Sequence, residues 1–234
     1  MQCQRILAIP KYRTERTERN YLSPEDLKIL LSQPNQSKSS GRRDLAMLSL
    51  LYDSGARVQE LIDINSGDIR FEKPAHIRLT GKGRKQRIVP LMSGTVKILT
   101  EYMKECNLFS SQNNGNPLFT NRYGKRISRF GVQYILTKYV NKTKAVWPMF
   151  NYPVSPHTLR RTKAMHMLEA NTPLVIVRDF LGHVDINTTG IYARASINLK
   201  REALEKVDSY TPKVKQAAAI WKRDKNILER LQSL

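Results

Sequence analysis

The stretch Arg42–Ser54 constrains this chain more than any other. Leu45, Met47, Leu48, Leu50, Leu51 and Tyr52 put apolar groups on most sides of a helix. Such a helix cannot lie on a surface, so other elements must wrap it. The pattern predicts a buried central helix ending near Gly55. It is core rather than a membrane span, because no run approaches the roughly 18 consecutive apolar residues a span requires. The 234 residues suit one large domain or two small ones.

The elements around it are mostly helical. Ser23-Pro24-Glu25-Asp26 announces a helix: Ser caps, Pro takes the first position and the acids meet the positive dipole end. Residues 33–41 (QPNQSKSSG) read as a loop. Arg57–Ile64 reads as a short helix. His76–Thr80 and Gln86–Pro90 alternate around the turn Gly81-Lys82-Gly83-Arg84-Lys85, which predicts a β-hairpin. Further helices are expected over Thr95–Cys106, Ser128–Lys144, Pro156 to about Ala170, Pro173 to Gly182, Asn187–Ala195 and Leu199–Val207. The expected class is mostly α with a small antiparallel β-sheet, an α+β arrangement. Residues 1–20 read as a flexible basic arm, 21–210 as the main domain and 211–234 as a helical tail. The stripe Ile220, Ile227, Leu231 and Leu234 on that tail suits packing on its own domain or on a neighbouring subunit.

Charge narrows the function. Forty Lys and Arg against twenty Asp and Glu give a net charge of +20. Cys106–Leu168 holds ten basic residues and no acid, and Arg78–Arg87 holds five basic residues and no acid. A merely solubilising surface mixes both signs, whereas one-signed clusters point to a polyanion, above all nucleic acid. No RNA-recognition aromatic motif accompanies them. The two cysteines, Cys3 and Cys106, are too few for a disulfide scaffold or a Cys-based zinc site. The start lacks the apolar core of a signal peptide, and a reducing cytoplasm is the expected setting. Two-metal phosphoryl transfer needs clustered carboxylates, which the most basic third lacks, and no pair among His76, His157, His166 and His183 has zinc-helix spacing. Neither metal nor cofactor is expected.

Several short motifs could carry chemistry on a phosphate. His157 and Arg160 lie three apart at the start of a helix opened by Ser155-Pro156, where backbone N–H groups favour an anion. Arg57 stands just after the buried helix, at a break marked by Gly55, with Glu60 one turn on to pair with it. Lys82 sits between two glycines at a hairpin tip, which lets it approach a groove closely. Gly182 breaks a helix before His183, and Tyr192 follows nine residues later. His76 and His166 read as structural. Each motif alone is weak.

Their order is informative. GARVQEL with Arg57, TGKGRKQRIVPL with Lys82, SPHTLRRT with His157 and Arg160, LGH with His183 and TTGIYAR with Tyr192 follow in one direction. From about Tyr21 to about Asp208 the chain resembles the catalytic domain of the tyrosine recombinases, the phage integrase family. That family usually carries an additional N-terminal helical domain that closes a clamp on DNA, whereas here about twenty residues precede the catalytic part.

The resemblance implies site-specific cleavage and rejoining of double-stranded DNA, without metal or ATP. Tyr192 would be the nucleophile, forming a 3′-phosphotyrosyl bond and releasing a 5′-hydroxyl. Arg57 and Arg160 would offer charged forks to the phosphate oxygens, with a hydrogen bond from His183. Lys82 would protonate the leaving oxygen, His157 would give general acid–base help, and Glu60 would orient Arg57. Ser128–Lys144, with Arg122, Lys125 and Arg126, is the candidate for reading bases in the major groove. The resemblance further implies a homo-oligomer, a tetramer, on DNA in a bacterial or phage setting at the nucleoid, consistent with a mobile element. A type IB topoisomerase and a non-catalytic DNA-binding relative are the alternatives.

Overall fold

The computed structural model describes residues 21–150 and 153–182, with the backbone alone at Lys82 and Ser111. The expected N-terminal arm, the helices after Gly182 and the C-terminal tail lie outside the described residues, as do His183 and Tyr192.

Helix α1 (Pro24–Ser32) begins where its caps require: Ser23 Oγ accepts the Asp26 N–H at 3.1 Å, and the Asp26 carboxylate accepts the Ser23 N–H at 3.3 Å. Helix α2 (Ser39–Asp53) is the predicted central helix, with every residue from Asp44 to Leu51 buried. It starts three residues before Arg42. Ser39-Ser40-Gly41 has loop composition, but Gly41 seats the first turn directly on the preceding loop, where an added Cβ would stand 1.9 Å from the Asn35 carbonyl oxygen. The glycine there serves close approach rather than a break.

After α2 the chain turns through Gly55 at φ +56° into α3 (Val58–Asp63), with Arg57 in extended conformation at its N-cap. Three strands follow, β1 (Ile69–Arg70), β2 (His76–Thr80) and β3 (Gln86–Pro90), antiparallel in the order β1-β2-β3. Ile77 stands opposite both Ile69 and Val89, and all three are buried. The hairpin is as expected; β1 is an addition, too short at two residues for alternation to reveal it. The turn holds a short 3-10 segment, Lys82–Arg84, with Gly83 at φ +73°.

Four helices complete the described fold. Helix α4 (Ser93–Glu105) packs on α2. Helix α5 (Arg129–Val146) starts at Ser128, whose hydroxyl accepts the Gly131 N–H. Helix α6 (Pro156–Glu169) starts at Ser155, which accepts the Thr158 N–H. Helix α7 (Leu174–Leu181) ends on Gly182 in the left-handed conformation at φ +65°. The mostly α class with a small antiparallel sheet therefore stands.

Two polar ties fix the helices that carry the site. His166 bridges α6 to the N-terminus: its Nε2 donates to the Leu22 carbonyl at 2.9 Å, and its Nδ1 accepts from the Tyr52 hydroxyl at 2.9 Å. That arrangement needs a neutral ring, and burial, the largest influence, lowers its pKa. His166 is structural, as its lack of sequence context suggested. Asp44 on α2 is buried yet accepts from Arg43, the Lys138 ammonium and, at 2.9 Å, the Tyr139 hydroxyl. It pins α2 to α5. Removing it strands three donors, so Asp44→Ala is expected to cost about 2–3 kcal/mol, and Tyr139→Phe, which strands fewer, about 1 kcal/mol. Urea denaturation of both variants checks the order; equal losses would sink the charge-centred account.

Candidate active site

The exit from α2, the start of α3, the hairpin turn, the start of α6 and the end of α7 converge. Each brings one of the residues singled out in the sequence, or its chain neighbour.

Arg57 is the most open of the arginines gathered here, with its side chain 46% exposed. It is held from beneath by Glu60. One Glu60 oxygen accepts the Arg57 backbone N–H at 2.8 Å and the other accepts Arg57 Nη1 at 2.9 Å. The expected Arg57–Glu60 pair exists, but Glu60 is buried and does more. Arg87 on β3 donates Nη1 and Nη2 to the two Glu60 oxygens at 2.9 and 2.8 Å. Gly81 lies against the same carboxylate, where an added Cβ would stand 3.1 Å from Glu60 Oε1. The backbone leading into Lys82 is thereby set beside the Arg57–Glu60 pair.

Arg160 is only 1% exposed. Its Nη1 donates to the Gly55 carbonyl and its Nη2 to the Leu181 carbonyl, both at 2.6 Å. Sequence reasoning placed Arg160 at a helix start as a fork for phosphate oxygens. The structure adds that it joins the exit of α2 to the end of α7. Gly55 must be small and left-handed here, because a Cβ would meet Leu181 Cδ2 at 3.0 Å. Beside it, Lys163 donates to the buried Asp53 at 3.0 Å, with its ammonium over the Tyr52 and Phe180 rings.

His157 is exposed at the first turn of α6. The protein packed against its ring disfavours the charged form, and Arg161, Arg160 and Arg57 add positive potential, so its pKa falls below the ordinary 6.5. At neutral pH the imidazole is uncharged and can accept a proton. Arg57, His157 and Arg160 are thus brought together. The backbone of Lys82 is beside them, and α7 delivers the chain to the position before His183.

Arg87 was missed by the sequence reading. The signal was present: Arg87 shares the inward parity of Val89 and stands opposite buried Leu79. A charge on the buried face of a strand calls for a partner. Arg126, by contrast, does not belong to an open basic surface. Its guanidinium donates to the carbonyls of Ile62 and Ile64 and to Asn65 Oδ1 at the end of α3. The face of α5 that remains open carries Arg129, Phe130, Gln133, Tyr134, Thr137 and Lys138.

Two outcomes are expected from this geometry. Burial alone would raise the Glu60 pKa, but the Arg87 bonds, the Arg57 N–H, the Arg87 charge and the Arg57 side-chain bond outweigh it and lower the value to about 2. The stability Glu60 contributes is therefore complete above pH 4.5, its ordinary pKa, and is lost as pH falls towards about 2. Denaturation midpoints between those limits should fall more steeply for the native chain than for Glu60→Gln. For His157, a titration followed by NMR should give a pKa below 6.5 that rises in Arg57→Ala; an unchanged value would separate the two residues.

Comparison with known proteins agrees with the geometry. A family model described as the phage integrase family matches residues 20–198. The chain is similar to the y4rC protein of Sinorhizobium fredii, at 36% identity over 234 residues, which is all of this chain and 68% of that protein. It is 36% identical over 192 residues to the tyrosine recombinase XerD of Staphylococcus epidermidis, covering 82% of this chain and 62% of that one. The crystal structure of XerA recombinase superposes with a TM-score of 0.68 at 26% identity, over 84% of this chain and 66% of that one. The chain thus spans about two thirds of the length of these relatives. On the match to its family model and on these likenesses, the chain belongs to the phage integrase family.

Proposed function

We propose that this chain cleaves and rejoins double-stranded DNA at specific sites through a 3′-phosphotyrosyl intermediate on Tyr192. The observation that carries the reading is the convergence of an exposed, carboxylate-oriented Arg57, a neutral His157 and Arg160 at one place. That arrangement suits attack on a phosphodiester. As the phosphorus becomes five-coordinate, negative charge grows on its non-bridging oxygens. Arg57 presents a pre-oriented fork to them, and fixed donors cost no reorganisation during the reaction. Arg160 adds positive charge from a buried position, where it is weakly screened. A phenol ordinarily titrates near pH ~10, so a tyrosine nucleophile needs an acceptor for its proton. His157, held neutral, fits that role, and the imidazolium formed would return the proton on rejoining. Lys82 is assigned to protonate the leaving 5′-oxygen, and His183 to a hydrogen bond on the phosphate. The covalent link preserves the energy of the broken bond, so a 5′-hydroxyl can reverse it without ATP.

DNA would be held by phosphate contacts from the basic face, with α5 offering Arg129, Gln133 and Tyr134 to a groove. The relative's name as a tyrosine recombinase supports this reading. Rejoining between two duplexes needs several active sites, so the working form is a homo-oligomer on DNA, a tetramer, at the nucleoid of a bacterial cell. Mobilisation of an element is one use of that chemistry.

Covalent capture tests the proposal. The protein is incubated with sheared genomic DNA in EDTA, denatured in SDS, and the DNA left attached is sequenced. Adducts at a few sites, absent in Tyr192→Phe, are expected; adducts scattered everywhere would point to a topoisomerase-like activity, and none at all would reject strand cleavage by this chain. Arg57→Ala should remove adducts while leaving most DNA binding. Affinity should fall with salt by roughly 0.9 log unit per log unit for each phosphate neutralised.

A further inference from the structure

The Glu60 carboxylate poses an electrostatic problem for the site it supports. An acid that orients an anion-binding arginine also neutralises it. A carboxylate has about four acceptor positions. In Glu60 four donors fill them: the Arg57 N–H, Arg57 Nη1, Arg87 Nη1 and Arg87 Nη2. Arg87 takes both oxygens as a fork and leaves Arg57 a single side-chain bond. Formal charges of the trio are two positive and one negative, so one positive charge remains, and it resides on the more open member. Arg87 is 13% exposed against 46% for Arg57. Arg87 also reaches the far side of the site. Its Nε donates to the Phe180 carbonyl at 3.1 Å, and Gly182 packs on its stem, where a Cβ would meet Arg87 Cδ at 2.9 Å.

We propose that Arg87 is a positioning residue that occupies Glu60 so that Arg57 stays charged towards the phosphate, and that it ties this pair to the turn leading into His183. Without Arg87, two acceptor positions on Glu60 open towards Arg57. The Arg57 guanidinium then closes on the carboxylate as a bidentate pair, and its net charge towards the phosphate is cancelled. The end of α7 loses its tie to β3 at the same time. This inference rests on the strand-cleavage reading for its consequence, but the charge arrangement stands on the unliganded protein.

In Arg87→Gln, adduct formation on a nicked DNA duplex carrying a captured site should slow by about a hundredfold or more, the scale of losing one transition-state donor. Adding Glu60→Gln removes the charge that cancels Arg57, so the double variant should recover most of that loss and approach Glu60→Gln alone. A merely structural Arg87 predicts the opposite: the double variant is no faster than Arg87→Gln, and rates follow melting temperature. That result would overturn the proposal. Where the native chain forms no adduct, the cleavage reading has failed and the inference is read from the His157 titration. There Arg87→Gln should raise the pKa and Glu60→Gln should bring it back down; absence of that reversal rejects the inference. If Arg87→Gln does not fold, Arg87→Met, which keeps an apolar stem beneath Gly182 and removes the charge, takes its place with the same reversal required.

Discussion

A fully buried guanidinium sets the terms for the rest of the structure. Arg160 cannot lose its charge, and an unpaired buried charge is among the costliest things a fold can contain. Its terminal nitrogens are met by two main-chain carbonyls, Gly55 at the exit of α2 and Leu181 at the end of α7. Both lie at helix C-terminal ends, where the free carbonyls and the negative end of the dipole favour a cation. The sequence makes this possible with small residues. Gly55 and Gly182 turn left-handed and allow the two ends to approach each other and their neighbours. Two helix ends that share no sequence neighbourhood are thus held against one cation. Arg57, two residues after Gly55, is set beside this junction, and Gly182 stands against Arg87 on its other side.

Concentrating positive charge in this way creates repulsion, which the buried acids relieve unevenly. Asp44 and Asp53 are spent on structure: the first ties α2 to α5, and the second holds Lys163 and the Met92 N–H. Glu60 is different, because it is shared between an inner and an outer arginine. The neutral state of His157 follows from the same crowding, since the protein around it and three arginines disfavour a further charge. One electrostatic environment therefore yields both a concentration of positive charge and an uncharged imidazole beside it.

Much of this was legible beforehand. The central helix, the hairpin and the starts of α1 and α6 were readable because apolar spacing and Ser-Pro caps act over a few residues. The candidate residues were found through local signals: a glycine before Arg57, glycines around Lys82, a cap before His157. What sequence reasoning could not see was burial. Arg160 looked like an open phosphate fork at a helix start, and Arg126 like part of a basic surface. Both in fact satisfy main-chain carbonyls from segments far away in the chain. Arg87 differs, since its strand parity already marked it, but its partners did not appear until β3 lay beside α3.

The amino-acid sequence by itself determined the helix-rich class, the basic character and the order of the motifs, because these depend on periodicity, capping and composition within short windows. The tertiary structure alone decided which cations face outward and which are consumed internally. A guanidinium looks the same in sequence whether it meets solvent or carbonyls. Its role depends on contacts between residues such as Arg160 and Gly55, 105 positions apart, and those exist only once the chain has closed on itself.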